Sequence, residues 1–139
     1  MKLMYKAWMA FHAWIYRLTG GRLGGSMMGF KVLLLNTTGR KSGKAYTTPL
    51  GFWEQPGGYL LAASNGGNPV NPAWYLNLMS KPQTTVQIGS KVIPVTAEAL
   101  TGEARDQAWQ RVVTAAPSYA NYQKRTKRQI PVVLLRTSS

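Results

Sequence analysis

Leu3, Met4, Ala7, Trp8, Phe11, Trp14, Ile15 and Leu18 recur at steps of three and four residues, while Lys2, Lys6 and Arg17 fall off that stripe. This spacing predicts an amphipathic helix, ended by the glycine-rich "TGGRLGG". Its apolar face is read as packing on the rest of the fold. The tryptophans and the basic flank make peripheral docking on a membrane surface the competing reading. The uncharged run "AWMAFHAWIY" covers about ten residues, well short of the roughly 20 that a bilayer crossing needs.

The pattern then shortens to strands. "FKVLLLNTT" is a buried strand, and "AYTTPLGFW" is a second one with Pro49 at an edge or bulge, so the two form a hairpin around "GRKSGK". "YLLAAS" is a third strand, running into "NGGNPVNP", whose composition excludes regular structure. Asn71 followed by Pro72 predicts a capped helix over "AWYLNLM". "TTVQIG" and "KVIPVTAEAL" pair across a "GS" turn. Thr101 is placed to cap the next helix, with Glu103 and Asp106 in its first turn and Ala104, Ala108, Trp109, Val112 and Val113 on its inner face. "PSYANYQKRTKR" follows as an irregular helix, and "IPVVLLR" closes the chain as a strand. Short antiparallel strands with helices between them predict an α+β fold built on a small barrel of about six strands, in one domain over residues 1–139. Within it, residues 1–25 are the N-terminal helix and linker.

Composition sharpens this picture. With 45% hydrophobic and 15% charged residues, 139 residues suffice for one packed core. Lys plus Arg number 17 against 4 Asp plus Glu, a net charge of +13, so the natural partner is anionic: a phosphorylated cofactor, a membrane surface or nucleic acid. Cysteine is absent, which removes disulfides, thiol nucleophiles and thiolate metal sites and fits a cytoplasmic location, with the inner membrane face as the peripheral variant. His12 is the one histidine and Asp106 the one aspartate, a poor basis for a Ser-His-Asp hydrolase or a metal centre. An enzyme with this inventory relies on a bound cofactor for its reactive atoms.

Three segments are suited to hold such a cofactor. "GRKSGK" sets Arg40, Lys41, Ser42 and Lys44 on a glycine-flexed turn where cations and N–H groups can converge on an anion. It is not a Walker A loop, since three residues separate Gly39 from Gly43 and Ala45 follows Lys44. The bland reading is a solvated hairpin tip. "ASNGGNPVNPAWYLNL" is a long loop leaving a strand and entering a helix, either a binding loop or a plain connector. Tyr119 and Tyr122, three apart, share a helical face and offer two phenols, or else simply pack on the core. The cations Lys124, Arg125, Lys127 and Arg128 are the main support for a nucleic-acid binder, without any nucleic-acid motif to accompany them.

Taken together, "LLLNTTGRKSGKAYTTPL", "AASNGGNPVNPAWYLNL", "PSYANYQ" and "RQIPVVLL" resemble the deazaflavin-dependent nitroreductase family, over about residues 31 to 135. The resemblance implies a split β-barrel, here residues 26–139, that binds coenzyme F420, a cofactor planar at one end and anionic at the other. It implies that Thr38, Arg40, Lys41 and Ser42 hold the phosphate and tail. Pro49, Ala63, Asn65, Gly66 and Gly67 would line the ring pocket, with Trp74 nearby. It places Ser64, Tyr119 and Tyr122 on the substrate side as catalytic residues, with hydride passing to a small hydrophobic acceptor, quinone-like or nitroaromatic. FMN is the alternative cofactor, and a non-catalytic carrier of a lipid, flavin or haem is the alternative function. Three positions depart from the pattern that the resemblance implies: Tyr46 stands where many relatives carry Arg, Asn65 where some carry Lys, and Ala116 where some carry an aromatic residue.

Overall fold

A computed structural model of the chain describes residues 26–27 and 30–137. The stripe from Leu3 to Leu18, with His12, lies outside the described residues. The strands are β1 (Ser26–Met27), β2 (Phe30–Thr38), β3 (Ala45–Gly51), β4 (Trp53–Gln55), β5 (Gly58–Ala62), β6 (Gln83–Ile88), β7 (Lys91–Ala99) and β8 (Val132–Thr137). The helices are α1 (Ala73–Ser80), α2 (Gly102–Ala115) and α3 (Ser118–Lys124), and a 3₁₀ turn spans Asn65–Gly67. All pairings are antiparallel, in the order β1-β2-β6-β7-β8-β5-β4, with β3 on β2. This curled sheet with its helices is the expected split β-barrel of an α+β protein.

The strand count exceeds the expected six because two short strands carry little sequence signal. "AYTTPLGFW" is not one strand: the chain breaks at Phe52, whose N–H turns to the Lys31 carbonyl at 3.0 Å, and β4 starts beyond it to pair with β5. Pro49 lies in the register opposite Leu34, on a strand whose one partner among the described residues is β2, the edge position that suits a residue without an N–H.

The near-continuous apolar runs of β2, β5 and β8 reflect cover on both faces. Leu33, Leu35, Leu61, Val133 and Leu135 enter a core with Phe52, Leu78, Val86 and Val95. Leu60, Val132 and Leu134 point the other way and pack with Ala108. In α2 the inner positions are Arg105, Ala108 and Val112, and Ala104 is exposed, contrary to the pattern-based expectation. Arg105 takes the inner place because its guanidinium reaches the Ile130 carbonyl at 2.6 Å and lies 5.0 Å over the Trp109 ring. The expected caps also differ. Thr101 stands at the start of α2 without a side-chain cap bond, and Pro72, not Asn71, occupies the cap position of α1. Among the described residues no helix is long and apolar enough to cross a membrane.

Candidate functional site

The basic turn folds back on itself. Gly39 N–H donates to the Lys44 carbonyl at 2.8 Å and Gly43 N–H to the Gly39 carbonyl at 2.9 Å. A Cβ at Gly39 would sit 2.5 Å from Ser42 Oγ and 2.9 Å from Tyr46 Cε2, so the Ser42 hydroxyl and the Tyr46 ring close over a backbone that only glycine leaves open. Ser42 Oγ accepts from Lys44 N–H at 3.2 Å and lies 3.5 Å from the Tyr46 hydroxyl. Tyr46 therefore contributes a ring and a phenol to the turn.

One buried amide fixes this turn on the fold. Asn77 of α1 accepts at Oδ1 from Arg40 N–H at 3.1 Å and from Arg40 Nη1 at 3.4 Å. Arg40, Lys41 and Lys44 have no carboxylate partner among the described residues. The acids are engaged elsewhere: Glu54 with Lys31, Glu98 with Arg136, Asp106 with Arg105, and Glu103 with Gln107. Close by in the chain, Thr37 Oγ1 is buried without a hydrogen-bond partner among the described residues. Unpaired cations, N–H groups and hydroxyls form a donor set that fits an anionic group.

The glycine loop is held from the other side of the sequence. Asn65, Gly66 and Gly67 all have positive φ, 48°, 64° and 83°. Gly67 N–H donates to the Ser64 carbonyl at 2.9 Å and Asn68 N–H to the Asn65 carbonyl at 3.1 Å, closing the 3₁₀ turn. The Asn65 amide donates to the Val70 carbonyl at 3.0 Å, so this side chain shapes the loop. Arg128 then binds four acceptors at once: Nε to the Asn68 carbonyl (3.0 Å), Nη1 to the Ala63 carbonyl (3.2 Å) and Asn71 Oδ1 (2.7 Å), and Nη2 to the Ser64 carbonyl (2.8 Å). Asn71 is thus drawn to Arg128 and away from capping α1. Gln123 locks the Arg128 backbone, donating to its carbonyl at 2.8 Å and accepting from Ile130 N–H at 2.9 Å.

Tyr119 and Tyr122 meet edge to face, 5.2 Å between centroids, and Tyr119 meets Trp53 the same way at 5.3 Å. Burial, with Tyr122 nearby, pushes the Tyr119 phenol up to about 12, so it holds its proton further into the alkaline range than an ordinary tyrosine. The guanidinium of Arg125 lies 5.7 Å from the Tyr122 ring. α3 touches the glycine loop through its backbone, since a Cβ on Gly67 would stand 2.8 Å from the Tyr122 carbonyl oxygen.

The expected site residues therefore fall into two groups, with Trp74 and Pro49 placed separately. Thr38, Arg40, Lys41 and Ser42 lie at the hairpin. Ala63, Ser64, Asn65, Gly66 and Gly67 form the loop against α3, with Tyr119 and Tyr122. Trp74 packs on the core beside Tyr75, at 6.3 Å between ring centroids. Pro49 is placed on β3, opposite Leu34. Asn77 and Arg128 link the two groups through α1 and Asn71, and sequence reading passed over both. Asn77 sits within a helical run, and Arg128 looks like one more solvated cation of "KRTKR" until its partners, 57 to 65 residues away, are seen. A depression of about 320 Å³ lined by Glu54, Gln55, Gly58, Tyr59 and Thr137 lies at the other end of β5 and includes none of these groups.

The F420H(2)-dependent quinone reductase family model matches residues 8–137. The F420H(2)-dependent quinone reductase Rv1261c of Mycobacterium tuberculosis is 43% identical over 128 residues, covering 89% of this chain and 86% of the relative. Among solved structures, the F420-H2 dependent reductase FDR-A is 45% identical with a TM-score of 0.69, covering 76% of this chain and 93% of its own. A protein solved as a domain-swapped dimer is 40% identical with a TM-score of 0.70, covering 89% of this chain and 98% of its own. With a braced cationic hairpin and a left-handed loop on a split barrel, and a match across nearly its whole length, the chain belongs to the F420H(2)-dependent quinone reductase family.

Proposed function

We propose that this chain is a coenzyme F420-dependent oxidoreductase acting on quinone-like acceptors, with residues 26–139 as its cofactor-binding barrel. The observation that carries the reading is the hairpin whose Arg40, Lys41 and Lys44 lack acid partners among the described residues while Asn77 holds the turn in place. Thr38, Arg40, Lys41 and Ser42 bind the anionic end of the cofactor, supported by charge-assisted bonds worth about 1.5 to 3 kcal/mol each. Pro49, Trp74 and the segment from Ala63 to Gly67 shape the place of the planar end. When bound, the reduced deazaflavin supplies the hydride.

The chain's own contribution on the acceptor side is orientation. Tyr119 is placed to donate its phenol hydrogen bond to an acceptor oxygen, and burial, which pushes that phenol up to about 12, makes it a weaker acid than an ordinary tyrosine, so its role is orientation and not proton release. Ser64, whose carbonyl is held by Arg128, and Tyr122, edge to face with Tyr119, complete the donor set. The relative solved as a domain-swapped dimer supports a dimeric assembly for this chain.

The test is a fluorescence titration with oxidised coenzyme F420, and with FMN, at low and moderate salt. Saturable F420 binding that weakens with salt is expected. Lys41→Glu is expected to weaken it tenfold or more and, being exposed, to leave stability within about 0.5 kcal/mol. No saturable binding by the parent removes the proposal, and an unchanged Kd for Lys41→Glu removes the phosphate role of the hairpin.

A further inference from the structure

We infer that Arg128 is a positioning residue for cofactor binding, setting the backbone of the loop from Ala63 to Gly67 without touching cofactor or substrate itself. The inference rests on the proposed cofactor role of that loop and extends the part of Arg128 from holding the Ser64 carbonyl to setting the whole loop for the cofactor.

The geometry is specific to a guanidinium. All three of its nitrogens are used, on four acceptors drawn from Ala63, Ser64, Asn68 and Asn71. These acceptors bracket the run Asn65, Gly66 and Gly67, whose positive φ values a free chain samples among many alternatives. Bonds at both ends of such a run reduce those alternatives to one. Because the Ala63, Ser64 and Asn68 carbonyls point at Arg128, and because Gly67 and Asn68 N–H bond within the turn, the Asn65 and Gly66 N–H groups are left without partners among the described residues, available to an acceptor on the cofactor. The half-buried Arg128 cation is spent on three backbone carbonyls and the Asn71 amide oxygen and has no carboxylate among the described residues, so it acts as a brace on the loop. Gln123, gripping the Arg128 carbonyl and Ile130 N–H, fixes the brace itself.

The experiment compares parent, Arg128→Lys and Arg128→Met by coenzyme F420 titration, by kcat and KM with a quinone, and by thermal unfolding. Lysine keeps the charge but donates from one atom and cannot span four acceptors. Both variants are expected to raise the Kd for F420 tenfold or more, in Met at least as much as in Lys, and to lower kcat at saturating cofactor. A merely structural role gives a different result: part of the protein unfolds, the binding amplitude falls, and the folded remainder keeps the parental Kd and kcat. That outcome in Arg128→Lys overturns the inference, as does parental binding in both variants. If the parent itself does not bind F420, the functional reading fails instead, so the two failures are distinct.

Discussion

Gly66 and Gly67 are adjacent, both left-handed, and differ in one respect that a pair of alanine substitutions can isolate. Gly66 has φ of 64° and open space around a Cβ, whereas Gly67 has φ of 83° and a Cβ there would stand 2.8 Å from the Tyr122 carbonyl oxygen and 2.9 Å from Arg125 Cβ. Holding an alanine in the left-handed region costs roughly 1 to 2 kcal/mol at either site. The gain from stiffening the unfolded chain is common to both and cancels in the comparison. Gly67→Ala adds the cost of pushing the α3 backbone away, about 1 to 3 kcal/mol by analogy with overpacked cores. Against a typical total of roughly 5 to 15 kcal/mol, that difference is readily measured. Urea denaturation of the three proteins is the assay. Gly67→Ala is expected to lie about 1 to 3 kcal/mol below Gly66→Ala, and its F420 affinity to fall further, because α3 carries Tyr119 and Tyr122. Equal stabilities for the two variants would refute the claim that Gly67 is where the loop and α3 meet backbone to backbone.

Asn77→Ala removes the acceptor that anchors Arg40; hydrogen exchange at residues 39–43 is expected to speed up while β8 stays protected, and stability to fall by about 1 to 3 kcal/mol. Unchanged exchange at the turn would show that the amide does not hold it. Tyr119 has a folded value near 12 against an ordinary 10, so the unfolded chain loses this proton first as pH rises. The contribution is complete below pH 10 and is lost between pH 10 and 12, by about 2 to 3 kcal/mol. Tyr119→Phe is expected to flatten that part of the stability profile, measured by denaturation across pH 9 to 12, and an unaltered slope would contradict the assigned burial.

What the sequence settled by itself is the material that repeats locally or carries charge. Two-sided apolar runs such as "LLLN" and "VVLL" announce strands covered on both faces, "GS" announces a hairpin, and a net charge of +13 with no cysteine announces an anionic guest and no thiol chemistry. The four ordered motifs pointed to the family. Tertiary structure decided which polar groups face which partners, since a hydrogen bond between distant residues leaves no periodic trace. Nothing in "KRTKR" separates Arg128 from its neighbours, yet it alone of these cations reaches the carbonyls of the loop. Asn71 reads as a helix cap until a guanidinium competes for its oxygen at 2.7 Å. Arg105 has no place on the inner face that the spacing marks out, and takes one because the Ile130 carbonyl offers it a buried acceptor. Apolar burial depends on a residue's own type and spacing and so is legible along the chain, whereas a buried polar group's place is fixed by a partner that only folding brings near.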